Sequence, residues 1–171
     1  QEHTGKPVLG VIPMIRNINI PEEDRAVLPF EYDESSKHAD SLDVAVVMPA
    51  HISNFTDFQS LALQPGVKVR YAQTAKEIEN ADLIVLPGTK NTIEDLIDLR
   101  NRGLDAAIIR HARKGGMVIG VCGGYQMLGR KLHDPDHVES RVPELAGLDL
   151  LDMEVTFARE KETAQASGVV D

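Results

Sequence analysis

Four short apolar runs, each bounded by proline or glycine and separated by stretches of helical period, constrain the fold of this chain more than any other feature. Residues 43–48 (DVAVVM) stop at Pro49, residues 67–71 follow Gly66, residues 82–86 stop at Pro87-Gly88, and residues 117–121 run into Cys122-Gly123-Gly124. The valine-rich run 43–48, apolar without polar alternation after Asp43, has the pattern of a strand covered on both faces. Between them, residues 55–63 can form a short helix, and Thr74 caps an acidic helix through Glu79. Thr92 is the expected N-cap of a helix whose first-turn acids, Glu94 and Asp95, favour the positive end of its dipole. That helix breaks at Gly103, and a second piece over 104–114 is stopped by Gly115-Gly116. Residues 123–132 are expected to be helical and residues 148–157 to form a further strand. Strands alternating with helices predict an α/β fold: three layers, with a mostly parallel sheet flanked by helices.

Upstream, residues 8–12 form an apolar run ending at Pro13, residues 17–24 are polar with Pro21 and three acids, and residues 25–41 have no period. This predicts a strand, a connector and a linker, with the boundary of the main domain near residue 40. The net charge of -9 over 171 residues argues against a nucleic-acid partner, which normally meets a basic face. No apolar run approaches the ~20 residues of a membrane span, so no membrane partner is expected. One cysteine excludes an internal disulfide framework, and residues 1–6 lack the apolar core of a secretory signal. Together these predict a cytoplasmic protein.

That cysteine is the chemical centre of the sequence. Cys122 stands at a strand-to-helix junction with glycines at 120, 123 and 124, the pattern of a nucleophile elbow. A turn this sharp needs small neighbours, and it lifts the sulfur towards the carboxyl ends of the strands, where open sheets bind ligands. The helix start favours thiolate, and the N–H of Gly123 becomes one oxyanion donor. The N–H of Gly88, at the end of a neighbouring strand, is the natural second. Pro87-Gly88 is equally readable as a strand-ending turn, and Gly123-Gly124 as a close helix contact. No histidine presents itself as the base: His111 reads as a packing or surface residue, His133 and His137 as solvated residues of the Pro135 loop, and His3, His38 and His51 have no motif around them. Thr4, Gly5 and Lys6 lack the spacing of a phosphate loop, the acids at 22–24 read as solvated surface, and no metal-ligand spacing occurs.

The elbow Gly120-Val-Cys122-Gly-Gly124-Tyr-Gln126 resembles the nucleophile motif of class I glutamine amidotransferases. Residues 52–57 (ISNFTD), 86–92 (LPGTKNT) and 145–152 (LAGLDLLD) through Thr156 resemble the cobyric acid synthase branch, and residues 10–13 and 20–24 are similar to the end of its ATP-using domain and exit linker. The resemblance implies residues 1–40 as the end of a synthetase domain plus linker, and 41–171 as a glutaminase domain of flavodoxin-like core, truncated at its C-terminus. It implies Cys122 as nucleophile, Gly88 and Gly123 as oxyanion donors, and Gln126 as a residue that holds glutamine. The glutaminase would release ammonia for ATP-dependent amidation of carboxylates on adenosylcobyrinic acid a,c-diamide, in cobalamin biosynthesis. Its partners would be glutamine, the synthetase domain of the same full-length chain and the corrinoid bound there; ATP and Mg belong to that domain, with no cofactor in this one. The family's catalytic histidine lies in a segment after one that looks like 152–157, and none is identifiable within residues 1–171. Two alternatives share the fold, the glutaminase of cobyrinic acid a,c-diamide synthase and a catalytically silent module that docks on a synthetase. A flavodoxin-like binding domain with an incidental cysteine is a third.

Overall fold

The computed structural model describes residues 41–160 and residue 165, so the expected strand, connector and linker before residue 41 lie outside the described residues. Its centre is a four-stranded sheet in the order β2-β1-β3-β4, built from β1 (Leu42–Val47), β2 (Val67–Ala72), β3 (Leu83–Leu86) and β4 (Met117–Gly120). All three pairings are parallel, with Val44 opposite both Val69 and Leu83, and Val85 opposite Ile119. The four apolar runs are these four strands.

In β1 and β3 the lack of polar alternation has the expected cause. Ala45 and Val47 of β1 and Ile84 and Leu86 of β3 pack on one side against Ile78, Leu96, Leu99, Leu104 and Ile108. Val44, Val46, Leu83 and Val85 pack on the other side with Phe58 and, at its margin, Leu61. The first face carries α2 (Ala75–Ile78), α3 (Thr92–Asn101), α4 (Leu104–Arg113) and α5 (Gly123–Met127). The second carries a 3-10 turn (Phe55–Phe58) and α1 (Gln59–Ala62). Cover on that second face does not extend to β4, where Met117 is 58% exposed and Ile119 49%.

Three expectations are corrected. The N-cap of α3 is Asn91, whose side-chain oxygen accepts the N–H of Glu94 at 3.1 Å; Thr92 is the first helical residue and is buried. The helix expected over 123–132 ends at Met127, and Lys131–His133 is a strand, β5. The strand expected over 148–157 shrinks to β7 (Glu154–Thr156).

The last two corrections have one origin. The final carbonyls of a helix need donors from outside it, and the N–H groups of Leu148, Leu150 and Leu151 supply them to Met127 and Leu128 at 2.8 to 2.9 Å. The segment 148–151 is therefore committed to capping α5 and cannot pair as a strand. A second, three-stranded sheet forms beyond it, in the order β6-β5-β7, with β6 (Glu144–Ala146) antiparallel and β7 parallel to β5.

Candidate active site

Cys122 leaves β4 with φ 51° and ψ -114°, a backbone conformation rare for a residue with a side chain, and its side chain is exposed. Non-glycine residues persist at such angles only where their surroundings fix them, and they concentrate at functional sites. Two glycines do the fixing. A Cβ on Gly124 would overlap the carbonyl of Leu86, and one on Gly120 would stand 2.6 Å from the Cα of Tyr125. The N–H of Gly124 bonds the carbonyls of Pro87 and Val121 at 3.1 and 2.9 Å, which pins the elbow to the end of β3. Gly124 and Gly120 are therefore close-packing positions.

Gly88 and Gly123 come to the same place. A Cβ on Gly88 would lie 3.7 Å from the Cβ of Cys122, and one on Gly123 would meet the methyl of Thr89 at 2.5 Å. Both glycines are buried, and among the described residues neither N–H has an acceptor. Two free N–H groups beside an exposed sulfur form the arrangement that stabilises a developing oxyanion. Gln126 is half-buried one turn beyond Cys122. Its amide oxygen accepts the hydroxyl of Thr92 at 3.0 Å, which ties α5 to the first turn of α3.

Further groups around the site escaped the sequence reading. The loop after β1 folds over the end of β3: Ile52 and Thr89 form an antiparallel bridge, and the N–H of Ser53 donates to the carbonyl of Gly88 at 2.9 Å. Asp95 is 0% exposed and acts as the clamp for that loop. It accepts the backbone N–H of His51 at 3.2 Å, the Nδ1–H of the same residue at 2.8 Å and the hydroxyl of Thr89. A first-turn acid of α3 is thus spent on tertiary contacts rather than left to the helix dipole.

On the opposite flank, Asp134 is buried and gathers the N–H groups of Val138, Glu139 and Ser140 at 2.6 to 3.0 Å. Burial works to raise its carboxyl, but these three N–H donors and the nearby His137 outweigh that and hold it below the ordinary carboxylate range. The turn built on it delivers Glu139 to the start of α3, where its carboxylate accepts the N–H of Thr92 at 2.9 Å and its carbonyl accepts Asn91 Nδ2 at 3.0 Å. Burial pushes the Glu139 carboxyl up, Asp134 adds to the rise, and the N–H groups of Thr92 and Ile93 only partly offset it. The Asp-Pro-Asp-His sequence at 134–137 carried the signal for such a turn, since aspartate readily bonds the backbone that follows it.

Each described histidine has a hydrogen-bond partner other than Cys122. His51 bonds Asp95, His111 Nε2 meets the carbonyl of Met117 at 3.1 Å, and His137 Nδ1 meets that of Ser140 at 3.1 Å. His133, expected in a solvated loop, sits in β5 between Glu144 and Glu154 at 3.2 and 2.9 Å. The described residues hold no group of three or more His, Cys, Asp or Glu that could bind a metal ion, and no described helix is long and apolar enough to cross a membrane.

Comparison with known proteins fits this geometry. The chain is 48% identical over 170 residues to a cobyric acid synthase of Moorella thermoacetica, covering 99% of this chain and 33% of that protein. A cobyric acid synthase of Pelotomaculum thermopropionicum is also 48% identical, with 99% and 32% covered. The chain thus spans about a third of the length of the curated relatives it matches. A solved structure titled as a glutamine amidotransferase shares the fold, with a TM-score of 0.52 and 18% identity over 66% of this chain and 55% of that one. Residues 43–171 match the CobB/CobQ-like glutamine amidotransferase domain, and the chain belongs to that family.

Proposed function

We propose that this domain hydrolyses glutamine at Cys122 and releases ammonia for an amide-forming synthetase. The carrying observation is the exposed cysteine at φ 51° with the free N–H groups of Gly88 and Gly123 beside it. The thiolate attacks the side-chain carboxamide carbon, the oxyanion takes the two N–H bonds, and collapse expels ammonia to leave a γ-glutamyl thioester. Water then releases glutamate and regenerates the thiol. Among the described residues no histidine hydrogen-bonds the Cys122 sulfur, so in this proposal the base that takes and returns the proton is placed outside them. Glu139 is suited to the α-ammonium of glutamine, since a half-buried carboxylate joined to Gln126 through Thr92 offers a charged partner that water does not fully screen. Gln126 would shape the same wall through Thr92.

The relatives' names support a finer reading. The ammonia would serve the ATP- and Mg-dependent amidation of corrinoid carboxylates, on adenosylcobyrinic acid a,c-diamide, by a synthetase domain of the full-length protein, in the cytoplasm. Residues 1–40 would then be the exit from that domain. Intact-mass analysis after an electrophilic glutamine analogue tests the core of this. A single adduct on Cys122, suppressed by excess glutamine and lost in Cys122→Ser, is expected. Labelling that glutamine does not slow would remove the substrate assignment.

A further inference from the structure

The two N–H donors of the site account for the oxygen of a carboxamide but not for its nitrogen, which carries two hydrogens in need of acceptors. A free acceptor stands next to them. A Cβ placed on Gly88 would lie 2.9 Å from Ser53 Oγ and 3.7 Å from the Cβ of Cys122, so the hydroxyl and the nucleophile flank one residue. Among the described residues Ser53 Oγ has no hydrogen-bond partner, although its own N–H is committed to the carbonyl of Gly88.

The loop that presents Ser53 is also held more firmly than a surface connection requires. Asp95 fixes His51 through both its backbone and its ring, Lys90 N–H donates to the carbonyl of His51 at 3.1 Å, and the bridge from Ile52 to Thr89 closes the other side. Preorganisation of this kind is what a site needs to place a hydrogen bond on a reacting group without first ordering a loop.

We infer that Ser53 is a specificity residue for the amide, its Oγ accepting an N–H of the substrate carboxamide while Gly88 and Gly123 hold the oxygen. The inference rests on the glutaminase reading above. It separates amide from ester substrates, because an ester has no N–H to offer.

The test compares hydrolysis of glutamine and of a γ-glutamyl ester by the full-length protein, for wild type, Ser53→Ala and Ser53→Thr. Ser53→Ala is expected to lower kcat/KM for glutamine about tenfold, the scale of one neutral hydrogen bond, and to leave the ester within about twofold. Ser53→Thr, which keeps the hydroxyl, is expected to restore most of the difference. Equal losses on both substrates, or no loss on either, would overturn the assignment of Ser53 while leaving the glutaminase intact. A wild-type protein that hydrolyses neither substrate and is not labelled at Cys122 would instead bring down the glutaminase reading and this inference with it.

Discussion

The two sheets of this domain are held together differently. In the parallel sheet, β1 and β3 bury both faces, with Val44 through Val47 all 0% exposed, and the stabilising interaction is apolar contact. In the small sheet each strand is three residues long, and only Leu132 at its centre is fully buried. Its outer side is a net of charges: Lys131 on Glu144 at 3.0 Å, and His133 between Glu144 and Glu154. The first sheet positions Cys122, whereas the second, with its loops, positions Glu139 and caps α5. Rigid packing holds the exposed cysteine, and a polar scaffold holds the groups that surround it.

The largest effect should come from breaking the joint between β3 and the elbow. Gly124→Val puts carbon into the carbonyl of Leu86, backbone against backbone, and is expected to cost more than about 4 kcal/mol or to abolish folding in a urea titration. Leu86→Ala, in the core of the parallel sheet, is expected to cost about 2–5 kcal/mol. Leu145→Ala, half-buried in β6, should cost clearly less in the same titration, and equal losses would mean that the small sheet is as tightly packed as the large one.

Next in size is the pH response of two carboxylates on one turn. Asp134 has its folded-state pKa lowered, so the stability it adds is present above the unfolded value of about 3.9 and is lost as pH falls through the folded pKa. Glu139 has its folded-state pKa raised, so its contribution is present below the unfolded value of about 4.3 and is lost as pH rises through the folded pKa. Stability measured against pH should therefore show a shallower acid-side fall in Asp134→Asn. In Glu139→Gln it should lose a decline on the higher-pH side, and the same slope in both variants would contradict the opposed environments. The smallest effect is expected at the charged net. Glu144→Gln should leave the urea midpoint unchanged within error, because exposed ion pairs contribute little and salt screens them.

The same contrast explains what could be read in advance. The central strands β1 and β3 were legible because burial on both faces removes polar alternation, and the elbow was legible because its glycines answer a local steric demand. The small sheet was not: Lys131-Leu-His133 and Glu144-Leu-Ala146 have the composition of solvated turns, and only their pairing makes them strands. The helix over 123–132 was misjudged because the donors that end it arrive from Leu148, Leu150 and Leu151. At the site, Cys122, Gly88 and Gly123 carried local signals. Asp95 looked like any acid in a helix first turn, and its buried clamp on His51 is a contact 44 residues long that leaves no mark on its neighbours. Ser53 and Glu139 were missed for the same reason, since their places depend on chain that is distant in sequence.

Synthesis from the N-terminus sets a further order. Thr92 meets Gln126 across 34 residues and Glu139 across 47, loops about as long as those closed by the pairing of β1, β3 and β4. On a growing chain the sulfur emerges before Glu139 and while the cradle for its substrate is incomplete. Under the proposed function the thiol would exist before its selectivity does, and substrate-competed labelling of Cys122 would report when the contacts of Glu139 are in place.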